Sequence, residues 1–167
     1  GASYTVTVNN LADQSAAANV IAANSHTNFT ASGYAPLAVG NAVPPGSFTL
    51  VAGGFDISGG GSDLGGTNDQ FQFNYIQRTG DFDVMVRLGS LSLADAWSEA
   101  GMVAREDLSP GSRSASVMAT PTISGCYFQA RGATNGTTAL TGSFPANYPN
   151  TWLRLKRVGS AFTGFAG

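Results

Sequence analysis

With 167 residues and 17.0 kDa, the chain has room for one domain with a genuine core and too little for two comfortable ones. Charged residues make up 11%, against a usual share of about 25%, and Gly (22) with Ser, Thr and Asn (43 together) stands in their place. Ten carboxylates against eight bases give a net charge of −2, which excludes an electrostatic footprint for DNA or RNA.

The single cysteine, Cys126, excludes an internal disulfide framework and a Cys-based zinc site, and is expected to be a buried small hydrophobe. His26 stands alone, so neither a His-rich metal site nor a Ser-His-Asp triad can be assembled. No apolar run approaches the ~20 residues that span a bilayer, and no membrane insertion is expected. Gly1-Ala2-Ser3 opens no charged and apolar leader, so a signal peptide is expected to have been removed or never included. Few charges, a single Lys and no disulfide suggest a secreted or cell-surface bacterial β-protein.

Tyr4–Val8 reads as a first strand, with Thr at alternate positions. Leu11 to Asn24 is Ala-rich but lacks a clean helical stripe, and reads as an irregular connection with at most one helical turn. The small and polar stretch that ends at Pro44-Pro45 is long for a connection inside a compact domain. Residues 1–46 are therefore expected to form an N-terminal strand and arm, and 47–167 a sandwich. From Ser47 onward the period is two. Strands are expected at Ser47–Val51, Gln70–Tyr75, Asp81–Leu88, Ala100–Glu106, Ser114–Thr120, Gly125–Arg131, Trp152–Lys156 and Ala161–Phe165. Pro45-Gly46, Thr79-Gly80-Asp81, Ser109-Pro110-Gly111, Asn135-Gly136 and Val158-Gly159-Ser160 supply the turns. The pattern is that of an all-β antiparallel sandwich.

Three stretches carry a resemblance: Gly65-Gly66-Thr67-Asn68-Asp69-Gln70-Phe71-Gln72-Phe73 leading into Gly80–Val84; the run Asp95-Ala96-Trp97-Ser98-Glu99-Ala100-Gly101-Met102-Val103-Ala104-Arg105-Glu106; and Trp152–Arg157 closing with Phe162-Thr163-Gly164-Phe165. In that order and spacing they resemble the concanavalin A-like lectin/glucanase superfamily, and within it the regulation-of-enolase-like domain repeated in large secreted bacterial proteins. The likeness covers roughly residues 54–167 and implies a jelly-roll sandwich. Family members usually run on through a further tryptophan hairpin and a closing strand, whereas this sequence stops at Gly167. The first 46 residues fall outside the likeness, and Tyr4 to Ser25 looks like the last strand and exit of a bacterial Ig-like module. The sandwich is thus expected to lack closing strands, with the 1–10 strand filling a gap in it or in a neighbour.

Glycosidases need two acids about 5–9.5 Å apart across the scissile bond, and the superfamily's glucanases carry Glu-x-Asp-x-x-Glu on one strand. That string is absent. Asp81-Phe82-Asp83 and Glu106-Asp107 read as solvated strand and strand-end positions, so no catalytic residue is assigned and no enzyme is expected. Gly59–Gly66 lacks the ending of a phosphate loop and reads as a flexible connection. No cofactor is expected; Asp63, Asn68 and Asp69 are the only candidate oxygen ligands for Ca²⁺, with turn-forming side chains as the alternative. Sugar binding uses an exposed ring with amide, carboxylate or guanidinium groups nearby, and Trp97, Arg105, Glu106, Tyr127 and Trp152 form the candidate patch. The alternatives are that both tryptophans pack at the sandwich rim and that Arg105 pairs with Glu99 or Glu106. Two functions are expected to compete. One is a non-catalytic extracellular lectin-like module binding glycan. The other is a structural or adhesive surface or filament subunit, polymerising with neighbouring copies by strand exchange through its arm.

Overall fold

Alternation of apolar and polar side chains, broken by glycine and proline turns, gives antiparallel strands throughout. The computed structural model describes residues 2–9, 11–31, 33–121 and 124–167, and among these there are thirteen strands and no helix. They are β1 (Ala2–Val8), β2 (Ser25–Ala31), β3 (Ala35–Val39), β4 (Ser47–Val51), β5 (Gly54–Ser58), β6 (Phe71–Tyr75) and β7 (Phe82–Leu88). There follow β8 (Ala100–Arg105), β9 (Ser114–Ala119), β10 (Cys126–Arg131), β11 (Ala139–Phe144), β12 (Thr151–Val158) and β13 (Ala161–Ala166).

Two sheets make the sandwich. One has the order β11-β10-β9-β8 and the other β13-β12-β7. Leu153 and Leu155 of β12 are fully buried between them, against Val117 and Ala119 of β9 and Cys126 of β10. Phe82, Val86 and Leu88 of β7, Met102 and Ala104 of β8, and Phe128 of β10 close the core around these. The sheets approach closely at Gly164 of β13. A Cβ there would lie 2.6 Å from Cδ2 of Phe128 and 3.3 Å from Cβ of Val117, so only glycine fits. The buried Cys126 and the alternation along β12 match the sequence expectation. Val84, on the same row as Phe82 and Val86, is nevertheless exposed, because β7 lies at the edge of its sheet.

The outer face of the four-stranded sheet is also covered. Tyr127, Gln129 and Arg131 of β10 alternate with the core residues and point to this side, as do Ser116 and Met118 of β9; all five are buried. Their cover is the segment 61–70, whose first part belongs to the Gly59–Gly66 stretch expected to be a flexible connection. It is held through the carbonyls of Leu64, Gly65 and Gly66. The Gln129 side-chain amide donates to Leu64 O at 2.5 Å. Arg131 donates through Nη2 to Gly65 O (3.1 Å) and Gly66 O (3.2 Å), through Nε to Gly136 O (3.0 Å), and through Nη1 to Ser112 O (3.1 Å). Glycine lets the segment lie this close to its surroundings: at Gly61, with φ +124°, a Cβ would be 2.0 Å from Gln70 O.

At the centre of this cover is Asp69, 2% exposed. Its Oδ1 and Oδ2 accept from Arg131 Nη2 (2.6 Å) and Nη1 (2.9 Å), a two-point pair. Arg105 Nη1 donates to the same Oδ2, and Arg105 Nη2 to Ser109 O at 2.6 Å. Two buried guanidiniums therefore share one carboxylate. β3 pairs with β6 beside this clamp, from Ala35↔Tyr75 to Val39↔Phe71, and the Gln70 side chain donates to Gly40 O at 3.3 Å.

The N-terminal 46 residues are richer in strands than their composition suggests. Gly1, Asn10 and Ser32 of this arm lie outside the described residues. β1 pairs along its length with β2, Ala2↔Ala31 to Val8↔Ser25, rather than entering either sandwich sheet. The Leu11–Asn24 connection contains an isolated Ala12↔Val20 bridge and no helix. The Asp13 carboxylate replaces helical hydrogen bonds there: it accepts from the Ser15 hydroxyl (2.6 Å), the Ser15 N–H (3.1 Å) and the Asn19 N–H (3.0 Å). β4 and β5 form a separate hairpin, on which Phe48 and Phe55 stack at 4.8 Å between centroids and both rings meet Tyr34.

Removing one partner of a buried pair leaves an uncompensated charge, so Asp69→Ala is expected to cost about 3–5 kcal/mol. Urea unfolding checks this; a loss below about 1 kcal/mol would make the clamp no stronger than a surface ion pair.

Candidate functional site

The structure divides the sequence-predicted patch between the interior and two exposed positions. Arg105 is enclosed by Asp69, by the Ser109 carbonyl, and by the Phe71 ring 5.5 Å from its Cζ. It pairs with neither Glu99 nor Glu106. Glu106 instead meets Arg113 at 3.0 Å on the surface. Tyr127 is buried against Glu99. Only Trp97, 59% exposed, and Trp152, 42% exposed, present rings to solvent. Trp97 lies in a loop braced by Asp95, which accepts from the Trp97 N–H at 2.8 Å.

The three candidate cation ligands do not converge. Both Asp69 oxygens are occupied by guanidinium groups, Asp63 and Asn68 are exposed, and the Asn68 amide lies 3.5 Å from the Thr67 hydroxyl. Among the described residues no three His, Cys, Asp or Glu side chains are grouped so as to hold a metal ion.

Trp152 belongs to a surface that sequence spacing alone does not assemble. On β12, Trp152, Arg154 and Lys156 point away from the core. Register places them opposite Arg87, Met85 and Asp83 of β7, respectively. On the other flank Arg154 and Lys156 stand opposite Phe165 and Thr163 of β13. The outer face of this sheet is thus three rows, spaced by about 6.7 Å along the strands. Met85 (62%) and Phe165 (44%) are exposed, and a shallow depression of about 190 Å³ lies between Met85, Trp152, Arg154 and Phe165. Arg154 crosses the middle of the face. Its Cζ sits 5.1 Å from the Phe165 ring centroid, and its Nε and Nη2 donate to the two Asp83 oxygens at 2.7 and 2.5 Å. Arg154 holds the Asp83 carboxyl below its ordinary value, first by hydrogen bonding and then by charge, with Lys156 adding to the effect.

Two other exposed surfaces lack this mixture. The depression of about 380 Å³ at the tip of the β1–β2 ribbon lies between Leu11, Val20 and Ile21. Asp13, the carboxylate there, is taken up by Ser15 and Asn19 and sits at about 2 because of those hydrogen bonds. The β4–β5 hairpin presents Phe48, Leu50, Phe55 and Ile57 on one face, with Asp56 on the other. No family model, curated protein or solved structure matches the chain.

Glu99 is the titrating group of the loop–sheet junction. Burial lifts its carboxyl to about 7, the nearby charges of Asp63 and Asp69 push the same way, and the Tyr127 hydroxyl works against them. Its Oε2 is buried without a hydrogen-bond partner. An acid whose folded value lies above its ordinary 4.5 keeps its proton longer when folded, so stability falls as pH rises from about 4.5 to about 7 and then levels off. Glu99→Gln is expected to flatten that decline, worth about 2–3 kcal/mol, and to exceed the parent in stability at alkaline pH. Thermal melts across pH check the sign; a parent that gains stability through this window contradicts it.

Proposed function

We propose that this chain is a non-catalytic, lectin-like module that binds glycan on the outer face of the β13-β12-β7 sheet. The observation that carries the reading is the coincidence, on one face, of exposed aromatic and apolar surface with oriented polar groups: Trp152 and Phe165 flank the Arg154–Asp83 pair. A pyranose ring has an apolar face of C–H groups that packs on an aromatic ring. Its hydroxyls need donors and acceptors held at fixed positions beside that ring, and the guanidinium–carboxylate pair provides both. A flat, half-polar sheet face suits an extended saccharide better than a small buried substrate, for which concave pockets are the rule.

The resemblance to concanavalin A-like domains supports the same reading and implies a jelly-roll arrangement and a secreted or cell-surface location. Fold alone does not determine function, and the weight therefore rests on the face itself. No catalytic residue is assigned, and the module acts by binding.

A second reading, assembly by strand addition, is favoured by a different feature. β1 and β2 carry no Lys, Arg, Asp or Glu, and the described side chains of this ribbon are exposed or nearly so. An isolated two-stranded ribbon is marginal alone, and uncharged edges invite pairing with another chain.

On the first reading, Trp152→Ala keeps the far-ultraviolet spectrum and melting temperature of the parent and weakens glycan-array binding about tenfold or more. Undiminished binding would remove Trp152 from the site. On the second, deletion of residues 1–12 lowers the mass seen by light scattering; an unchanged oligomeric state argues against assembly through the ribbon.

A further inference from the structure

The eight bases of this chain are unevenly employed. Arg105 and Arg131 are buried on Asp69, and Arg113 is spent on Glu106. Arg157 donates to Gly159 O at 2.8 Å and lies over the Phe162 ring, on the row that faces the core side. Of the others, Arg87, Arg154 and Lys156 all stand on the outer face of the β13-β12-β7 sheet, where Asp83 pairs with Arg154 and Asp81, at the end of the same row, accepts from the Gly159 N–H. A chain of net charge −2 thus places three of its eight bases on its aromatic face.

These charges have distinct situations. Arg154 is engaged by Asp83 through two hydrogen bonds, which fixes its plane beside Phe165. Arg87 is exposed, sits opposite Trp152 in the register, and makes no ion pair or side-chain hydrogen bond among the described residues. Lys156, two positions beyond Arg154, senses Asp83 electrostatically but forms no ion pair with it. The free cations therefore stand at the two ends of the face, with ring and apolar surface between them.

Resting on the glycan reading, we propose that the ligand class is an acidic polysaccharide carrying uronic-acid carboxylates, with Arg87 and Lys156 meeting carboxylates of the bound chain and Trp152 packing on a sugar ring beside Arg87. Charge complementarity selects an anionic partner. The guanidinium fork matches a carboxylate in two-point geometry, as Arg154 and Asp83 already do within this face. The carboxylate of Asp83, in the row of Lys156, disfavours a densely sulfated chain, which would bring repelling charge onto it. Two separated free cations fit an anion spaced along a polymer. A nucleic-acid backbone, with one charge per ~1.7 Å of duplex, is likewise a poor match for this sparse pattern.

The test is affinity electrophoresis and calorimetry of the intact protein with polygalacturonate, its methyl ester, dextran sulfate and oligo(dT). Polygalacturonate is expected to bind, and to weaken about tenfold or more between ~50 and ~500 mM salt as the screening length contracts. Arg87→Ala with Lys156→Ala is expected to weaken it about tenfold while leaving the melting temperature unchanged. Trp152→Ala weakens it as well. Equal binding of the uncharged methyl ester, insensitive to salt and to the double substitution but lost in Trp152→Ala, overturns the carboxylate assignment and leaves the glycan reading standing. Equal retention of dextran sulfate or oligo(dT) overturns it as well. Failure to bind any saccharide, on these probes and on an array, removes both.

Discussion

Everything on one side of this molecule depends on a single carboxylate. Asp69 brings the glycine-rich segment down onto the four-stranded sheet by engaging Arg131 at two points and Arg105 at a third. A segment composed largely of Gly, Ser and Asp offers little apolar surface to bury, Leu64 being the exception. Hydrophobic contact therefore cannot hold it, and directional polar bonds do so instead. Burying charge is expensive unless each group is satisfied. Arg131 meets that demand, with its donors shared among Asp69 and the carbonyls of Gly65, Gly66, Ser112 and Gly136. Arg105 meets it less completely, because its Nε is buried without a partner.

This arrangement sets what the two faces of the sandwich can do. The sheet that carries Arg105, Tyr127 and Gln129 is covered on both sides, and its polar groups serve the cover. The sheet of β7, β12 and β13 has a core on one side and solvent on the other. Among its outward residues Trp152, Met85, Arg87 and Phe165 are exposed. Exposed Trp, Phe and Met side chains, persisting there beside three bases, are the kind of surface that marks an interaction site. In a chain with so few charges, three of eight bases on one face is a local concentration of positive charge.

The remaining sheets are smaller and nearly uncharged. β1–β2 and β4–β5 are two-stranded, and both leave apolar side chains in water. The cluster of Tyr34, Phe48 and Phe55 gives β4–β5 an aromatic face of its own. Neither hairpin offers the oriented charge that a sugar hydroxyl or carboxylate requires.

How much of this could be read in advance follows from the range of the interactions involved. Period-two alternation is a local property, so the sequence alone determined the all-β class and the positions of β4, β6, β7, β8, β9, β10, β12 and β13 to within a residue or two, along with the burial of Leu153, Leu155 and Cys126. β2, β3 and β11 escaped it because Thr, Asn, Gly and Ala give little contrast between their two sides, and pairing with a neighbour is what makes them strands; β5 does alternate, over only the three residues Phe55, Asp56 and Ile57. The same alternation turned Asp83, Met85 and Arg87, and Trp152 and Arg154, outward, each on its own strand. That β7 and β12 lie side by side in the register joining Asp83 to Arg154's neighbourhood, 71 positions away in sequence, was decided only by tertiary structure. The fate of Arg105 was decided there too. Its nearest acids in sequence are Glu106 and Asp107, but strand direction carries it to Asp69, because a buried guanidinium is stabilised by whichever carboxylate the fold encloses with it rather than by the closest along the chain.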